Sequence, residues 1–279
     1  MPVVIEKDAP SFESYTNLVH QSYMSLVQAS LPDTRATLWY RGAGKYSYPL
    51  RPSLFRHSIS DIVELLKLEN KLINRFKQRG FPFVQRLSDV KMEQLFFMQH
   101  YGLPTRLLDW SESPFIALYF AITSAPVDDN GNYIEDAAVW LFNPIAWNRH
   151  LYPQLGDDVD ILSPINKKQL EGYEPLENPR DDLQDMGALP VALYGTHNSM
   201  RIVGQRGVFT IFGKETDSME TAYVNHGFPD NLLVKIRIPR LEFAKFQQAL
   251  TGIGIIDSVV FPDLEGLAKE TKRVFNYKV

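Results

Sequence analysis

Apolar residues recur along this chain with two different spacings, which together predict a mixture of helices and strands. The clearest helical stretch is 60–80, where apolar positions form one stripe between a serine that can cap the helix and a glycine that ends it. The same spacing predicts further helices at Phe12–Leu31, Asp89–Tyr101, Ser113–Ala125, Leu241–Leu250 and Leu264–Lys272.

Shorter apolar runs predict the strands. They lie at Thr37–Arg41, Ala137–Phe142, Val191–Tyr194, Gly207–Phe212 and Leu232–Ile238, with a last strand or buried run at Ile255–Val260. Because strands and helices do not alternate as βαβ units, the pattern favours the α+β class: a single domain with a mixed, mostly antiparallel central sheet flanked by helices. We predict an N-terminal helical segment over 1–36 and the main domain over 37–279. An irregular insertion or lid is expected at 143–187.

The composition of the chain limits the partners and the kinds of reaction that can be considered. The chain has 279 residues, of which 44% are hydrophobic, and a well-mixed net charge of −4 without a basic run, which gives little support for duplex nucleic acid as a partner. It has no cysteine, so thiolate nucleophiles, disulfides and cysteine-ligated metals are excluded. The six histidines are scattered, and no metal site is predicted. Because neither a secretory signal nor an apolar stretch of about 20 residues occurs, we expect a cytoplasmic protein without membrane contact.

Two segments combine polar groups with aromatic and glycine residues. In the segment 39–42, Arg41 follows Tyr40 at the end of a predicted strand, and Gly42 allows a close approach to the backbone. Its planar guanidinium suits a phosphate or carboxylate, although a structural ion pair is the alternative. The segment 99–111 joins two predicted helices and contains His100, which is a candidate general base or structural tie. The other candidates there are Tyr101, Arg106, Asp109 and Trp110, and the alternative for all of them is a buried network that fastens two helices together.

A third segment, 201–210, contains Arg201 and Gln205, both of which are expected to face a cleft. Glycines on either side of Gln205 indicate a bulge or a close backbone approach, and the alternative is an ordinary turn that leads into a strand. A fourth segment, 261–267, favours a helix cap at Asp263 over a functional role. Phosphate-loop, dinucleotide-fingerprint, nucleophile-elbow and metalloprotease motifs do not occur.

These segments resemble the hallmarks of the FRG domain family, which is named for an aromatic-Arg-Gly motif. That motif is Tyr40-Arg41-Gly42 here, with Tyr in place of the naming Phe. The strongest likeness is the block 99–110 and its continuation to Ala121, and 205–210 and 261–267 resemble later blocks. The likeness runs in order from Thr37 to Leu267.

The order of these segments is also similar to the three-part layout of the ADP-ribosyltransferase superfamily, which implies a core of that kind. In that layout an early Arg or His grips the dinucleotide, an aromatic platform holds nicotinamide, and a late Glu or Gln orients the ribose or the acceptor. The resemblance gives the first role to Arg41 and the late position to Gln205. The stacking candidates that it implies are Tyr101, Trp110 and Tyr119. A neutral amide at the late position cannot act as a base, so His100 or Asp109 would replace it.

We therefore expect a domain that binds NAD or a related nucleotide and cleaves or transfers at its glycosidic bond, acting as a bacterial toxin or phage-defence effector on a protein or nucleic-acid acceptor. One alternative is a non-catalytic module for a phosphorylated ligand or protein, with Arg41, Arg106 and Arg201 as anion clamps. Another is a metal-independent RNA-processing enzyme that uses His100.

Overall fold

The strands of the protein form one sheet. The computed structural model describes residues 2–28, 37–83, 88–154, 160–163, 166–195, 200–275 and 277. The strands are β1 (Ile5–Asp8), β2 (Trp39–Ala43), β3 (Leu107–Ser111), β4 (Ala137–Phe142), β5 (Val191–Leu193), β6 (Gly207–Ile211) and β7 (Leu233–Ile238). Within the described residues they build a seven-stranded sheet in the order β1-β7-β4-β2-β3-β6-β5. β1 and β7 are parallel, and the remaining neighbours are antiparallel, which confirms the predicted α+β class.

Helices flank this sheet. Their bounds are α1 (Phe12–Tyr23), α2 (Ile62–Gly80), α3 (Lys91–His100), α4 (Pro114–Thr123), α5 (Pro144–Leu151), α6 (Lys167–Glu171), α7 (Met200–Gln205), α8 (Met219–Asn225), α9 (Phe243–Gly252), α10 (Asp257–Val260) and α11 (Leu264–Val274). α1 continues as a π-helix over Met24–Gln28, and the remainder of the helix predicted to Leu31 lies outside the described residues. Local capping explains several starts, because the side chains of Ser11, Ser113 and Asp263 accept bonds from backbone N–H groups of α1, α4 and α11.

The core lies on both faces of the sheet. All six residues of β4 are buried, because helices α1, α4 and α9 cover one face while the 50–55 segment, α2 and α5 cover the other. A third cluster joins α3 to the β3, β5 and β6 end of the sheet. Each fully buried Leu, Ile or Phe side chain contributes about 1.5–3 kcal/mol of hydrophobic transfer energy, so this two-sided burial stabilises the central strands.

The sheet opens between two of its central strands. β2 pairs with β4 over five residues, and β3 pairs with β6 over five, yet β2 and β3 are in register only at Tyr40 and Ser111. Beyond that pair, Nη1 of Arg41 donates a hydrogen bond to the carbonyl oxygen of Asp109 at 2.5 Å. At this point a bond from the Arg41 side chain takes the place of backbone hydrogen bonds between β2 and β3. The two strands leave a gap, and the candidate site lies there.

Three local predictions are corrected. The segment 99–111 was expected to be a connection between helices, but its second half is the central strand β3. The run Ile255–Val260 was expected to be a strand or buried run and instead contains α10, whose Asp257 is buried against Tyr119. The N-terminal segment, predicted to be helical, also contributes β1, which forms one edge of the sheet.

Candidate functional site

A cleft of about 310 Å³ lies at the gap between β2 and β3. Strands β2, β3 and β6 form its base, and α3, α4 and α7 form its walls. Eight of the residues predicted for the site line it: Tyr40, Arg41, Gly42, His100, Asp109, Trp110, Arg201 and Gln205. The structure therefore brings these eight residues together, and Gly42, Trp110 and Gln205 make contacts other than those expected.

Arg41 supplies a cation at the centre of the cleft. Its side chain is 22% exposed, and Nη1 lies 4.0 Å from Oδ2 of Asp109. Burial lowers the pKa of Arg41 to about 10, nearby Asp109 opposes that shift, and Arg56 adds to it. The guanidinium is therefore charged at neutral pH. Within the described residues, its Nε and Nη2 groups donate to no protein acceptor, so they are available to an anionic ligand.

Asp109 supplies a carboxylate beside this cation. It is the exposed residue of β3, whose other four residues are buried, and its side chain is 55% exposed. Nε2 of Gln99, in the last turn of α3, donates to Oδ2 of Asp109 at 2.6 Å. Among the described residues, Oδ1 accepts no hydrogen bond. A charged side chain in the middle of a central strand is costly in a closed sheet, and the gap beside β2 is what keeps Asp109 in contact with solvent.

His100 and Arg201 stand at a second part of the cleft. Burial and the neighbouring Arg201 lower the pKa of His100 below its usual 6.5, and Asp263 partly offsets the shift. The imidazole is therefore neutral at pH 7 and can accept a proton. The Arg201 guanidinium lies 4.6 Å from the centroid of the Phe261 ring, a cation–π arrangement that orients it.

The apolar walls of the cleft come from residues that were not predicted for the site. Phe96 and Phe209 are in contact, with ring centroids 4.9 Å apart, and Phe120 lines the α4 wall. Phe120 lies three residues after Ala117 and four before Ser124, the residue that follows α4, and this helical spacing places all three on one face and could have indicated Phe120. Rings of this kind can contact a flat heterocycle such as nicotinamide or adenine.

Gly42 has a role in packing. A Cβ atom at this position would overlap the carbonyl oxygen of Ala117 and the amide nitrogen of Ala121. The glycine of the Tyr40-Arg41-Gly42 motif therefore permits α4 to lie directly on β2. It was expected to admit a ligand to the backbone, and the structure shows instead that a helix takes this space.

The position of Gln205 differs from the layout that the resemblance implied. It is the last residue of α7, one residue before Arg206 turns the chain into β6 with a φ of 49°. Its side-chain Nε2 donates to the carbonyl oxygen of Val260 at 3.2 Å, and its backbone carbonyl oxygen accepts from Ser111 Oγ at 2.7 Å. The amide thus ties α7 to α10. In the same cleft, the contacts that Asp109 makes with Gln99 and Arg41 go to Oδ2.

Arg106 does not reach the cleft, and its predicted role in ligand binding is corrected. Its side chain has no exposed surface. Nε donates to both carboxylate oxygens of Glu69, at 2.9 and 3.1 Å. The two terminal nitrogens donate to the carbonyl oxygens of Phe212 and Tyr173, at 2.7 and 2.8 Å. This buried network joins α2, the end of β6 and the 172–175 turn, so Arg106 is structural.

Two of the three aromatic stacking candidates also lie elsewhere. Tyr101 is 59% exposed and packs on Phe97 outside the cleft. Tyr119 is buried, and its hydroxyl donates to Oδ1 of Asp257 at 2.5 Å; burial and Asp257 raise its pKa. Trp110 does line the cleft, but it is 3% exposed and its Nε1 donates to Thr210 Oγ1, so it forms part of the base.

The described residues of the predicted insertion, 143–187, do not line the cleft. Trp147 and Asn148 of α5 are buried, and Asn148 exchanges two hydrogen bonds of 2.9 Å with the backbone of Ala192 in β5. The carbonyl oxygen of Tyr173 accepts from Arg106. These parts of the segment therefore pack against β5 and contribute to the buried Arg106 network.

Two further features concern metal binding and membrane insertion. In the portion of the chain that the structure describes, no three His, Asp or Glu side chains are grouped so that they could hold a metal ion. None of the helices traced in that portion has both the length and the apolar character needed to cross a membrane.

Comparison with known proteins gives one match. Residues 36–130 match the model of the FRG domain, which confirms the family resemblance over the Arg41 motif and the block 99–121. The later blocks around Gln205 and Phe261 lie outside the matched residues, and their assignment to the family stays a prediction. Searches of curated proteins and of solved structures gave no match.

Proposed function

We propose from its cleft that this chain, whose residues 36–130 match the FRG domain model, binds NAD or a related nucleotide and acts at the glycosidic bond, as an ADP-ribosyltransferase-like enzyme. One observation carries this proposal. A guanidinium and a carboxylate lie 4.0 Å apart in the gap of the sheet and beside aromatic walls, and within the described residues each keeps polar atoms that make no hydrogen bond. The guanidinium can bind an anion, and the carboxylate beside it can stabilise a developing positive charge.

Arg41 is the group for the anionic part of the ligand. Its Nε and Nη2 groups, which donate to no acceptor in the described part of the chain, can form a pair of parallel bonds to a phosphate, a geometry for which the guanidinium is well suited. Partial burial strengthens such bonds, because charges interact more strongly where water is excluded. Phe96, Phe120 and Phe209 offer apolar contacts for the nicotinamide or the adenine ring.

Asp109 and His100 are the groups for the reaction. As the bond between ribose C1′ and the nicotinamide nitrogen breaks, the bonding pair leaves with nicotinamide, and positive charge develops on the ribose. The Asp109 carboxylate would stabilise that charge. Water or an acceptor hydroxyl then forms a bond to C1′ and releases its proton to the neutral His100 imidazole. This scheme gives no role to Gln205, whose Nε2 donates to the carbonyl oxygen of Val260.

A bacterial toxin or a phage-defence effector would use such an activity, with a cytoplasmic protein or nucleic acid as the acceptor. This part of the proposal rests on the superfamily resemblance of the Arg41 and 99–121 segments. Consumption of NAD without a macromolecular acceptor is the simpler activity of the same site, since water replaces the acceptor at C1′.

NAD should stabilise the wild-type protein, and Arg41→Ala should abolish the effect. At a concentration of about 100 times the dissociation constant, a ligand adds roughly 2.7 kcal/mol to the free energy of unfolding. Because Arg41 is the anion-binding group, its loss removes most of this gain. Thermal unfolding with and without NAD measures the stabilisation, and nicotinamide release is read in the same samples.

Arg237→Ala is the matched control, since Arg237 pairs with Asp8 at 3.0 Å on the far edge of the sheet. It should keep the full NAD response. Stabilisation without nicotinamide release would favour the alternative of a non-catalytic binding module. An equal NAD response in Arg41→Ala and wild type would remove Arg41 from ligand binding.

His100 should set the acid limb of the pH profile. Because its pKa is lowered, the neutral form predominates at pH 7, and the rate of nicotinamide release should fall only below pH 6.5. His100→Gln should lose this limb and about 10²-fold in rate. His20, which lies on the exposed surface of α1, provides the control His20→Gln. Full activity in His100→Gln would contradict the role of His100.

A further inference from the structure

A short relay of hydrogen bonds leads from the backbone of β3 to the carboxylate in the cleft. The N–H of Leu107 donates to Oγ1 of Thr105 at 3.1 Å. The hydroxyl of Thr105 donates to Oε1 of Gln99 at 2.5 Å, and Nε2 of Gln99 donates to Oδ2 of Asp109 at 2.6 Å. Thr105 is fully buried, whereas Asp109 is exposed to the cleft.

The bonds of this relay all run in one direction. Oγ1 of Thr105 accepts from the backbone N–H of Leu107 and donates its single proton to Oε1 of Gln99. That bond turns the carbonyl of Gln99 toward Thr105 and its amino group toward Asp109. The reverse orientation would place the Gln99 carbonyl oxygen against a carboxylate oxygen of Asp109, where two acceptors would face each other, so the contact with Asp109 favours the same orientation as the contact with Thr105.

From this arrangement we propose that Gln99 is a positioning residue, oriented by Thr105, which holds Oδ2 of Asp109 and so leaves Oδ1 available to the ribose of the ligand. This inference rests on the proposed function for its catalytic meaning. Both contacts of the carboxylate, from Gln99 and from Arg41, go to Oδ2. The site thereby presents one carboxylate oxygen in a fixed direction.

The relay is anchored on rigid parts of the fold. The N–H of Thr105 donates to Ser53 Oγ at 3.2 Å, and its carbonyl oxygen accepts from the N–H of Leu54 at 3.1 Å. Gln99 lies in the last turn of α3 and Asp109 in β3. Catalytic groups need to be held within a fraction of an ångström, and partners that are themselves fixed provide that precision.

Thr105→Val tests the proposal, because it removes the hydroxyl and keeps the shape of the side chain. The exchange of the Gln99 side-chain amide protons with solvent, followed by NMR and assigned with Gln99→Met, should become at least about tenfold faster, as a lost hydrogen bond predicts. Nicotinamide release should fall about 10- to 100-fold, while the dissociation constant for NAD stays within about threefold of wild type, since binding relies on Arg41. Thr105→Ser keeps the hydroxyl and should retain both properties.

Two comparisons separate positioning from general stability. Thr251→Val removes a hydroxyl that bonds only within α9, and it should leave exchange and rate unchanged. In an Asp109→Asn background, Thr105→Val should lower the rate of nicotinamide release by less than about a further twofold, because both changes act on the Asp109 side chain. Unchanged amide exchange in Thr105→Val, low activity in Thr105→Ser, or an equal loss in both backgrounds would overturn the proposal. If the wild type neither binds NAD nor releases nicotinamide, the proposed function fails, and amide exchange still decides whether Thr105 orients Gln99.

Discussion

Replacing Arg106 by methionine should lower the free energy of unfolding by about 3–5 kcal/mol, because it leaves a buried carboxylate without a partner. Glu69 is 1% exposed and receives two hydrogen bonds from Nε of Arg106. The substitution also frees the carbonyl oxygens of Phe212 and Tyr173 from their donors. Urea unfolding followed by tryptophan fluorescence measures the loss.

The matched control is an exposed ion pair on α2, the helix that carries Glu69. Lys67 contacts Glu64 at 2.8 Å on the surface of α2, and Lys67→Met should cost less than about 1 kcal/mol. The double variant Arg106→Met/Glu69→Met should recover most of the stability lost by Arg106→Met, since no buried charge remains. A double variant that is less stable than Arg106→Met would show that apolar residues cannot replace this network.

Local patterns predicted most of the secondary structure, and the missed elements share a physical reason. β3 has no period-two pattern, because Leu107 and Leu108 are both buried on opposite faces of a sheet covered on both sides, and Asp109 interrupts the run. The apolar run at Ile255–Val260 favours a strand locally. It becomes helix α10 because Asp257 is fixed there by Tyr119 and Arg273, which come from distant parts of the chain.

The membership of the site could be predicted better than the role of each residue. Arg41 and Arg106 are both arginines in dense polar segments, and the sequence does not distinguish them. The difference arises from Glu69, which lies 37 residues before Arg106 and reaches it only through the packing of α2. Similarly, Gln205 was placed by order along the chain, whereas its side chain is directed by Val260 of α10.

The gap between β2 and β3 was the feature furthest from prediction. It depends on how two strands separated by more than 60 residues diverge after a single pair, Tyr40 and Ser111. No spacing within either strand encodes this divergence. Even so, Arg41 and Asp109 were both selected as candidates, because polar groups beside aromatic and glycine residues mark places where the backbone is open to a ligand.

Asp109→Asn should lower nicotinamide release by about 10²–10³-fold, the usual loss when one electrostatic contact to the transition state is removed. Asparagine has the size of aspartate and can still accept from Gln99, so the geometry of the cleft is kept while the negative charge is lost. NAD binding should change little, because the developing positive charge on the ribose is absent from the ground state. Release at saturating NAD gives the rate, and calorimetry gives the affinity.

Asp129→Asn makes the same chemical change in the exposed turn after α4, outside the cleft, and should stay within about twofold of wild type. Gln205→Leu tests the other assignment, in which the late polar residue acts on the ribose. Loss of activity in Gln205→Leu together with full activity in Asp109→Asn would return the catalytic role to Gln205. We expect the opposite order, because Oδ1 of Asp109 is free within the described residues and the Gln205 amide donates to Val260.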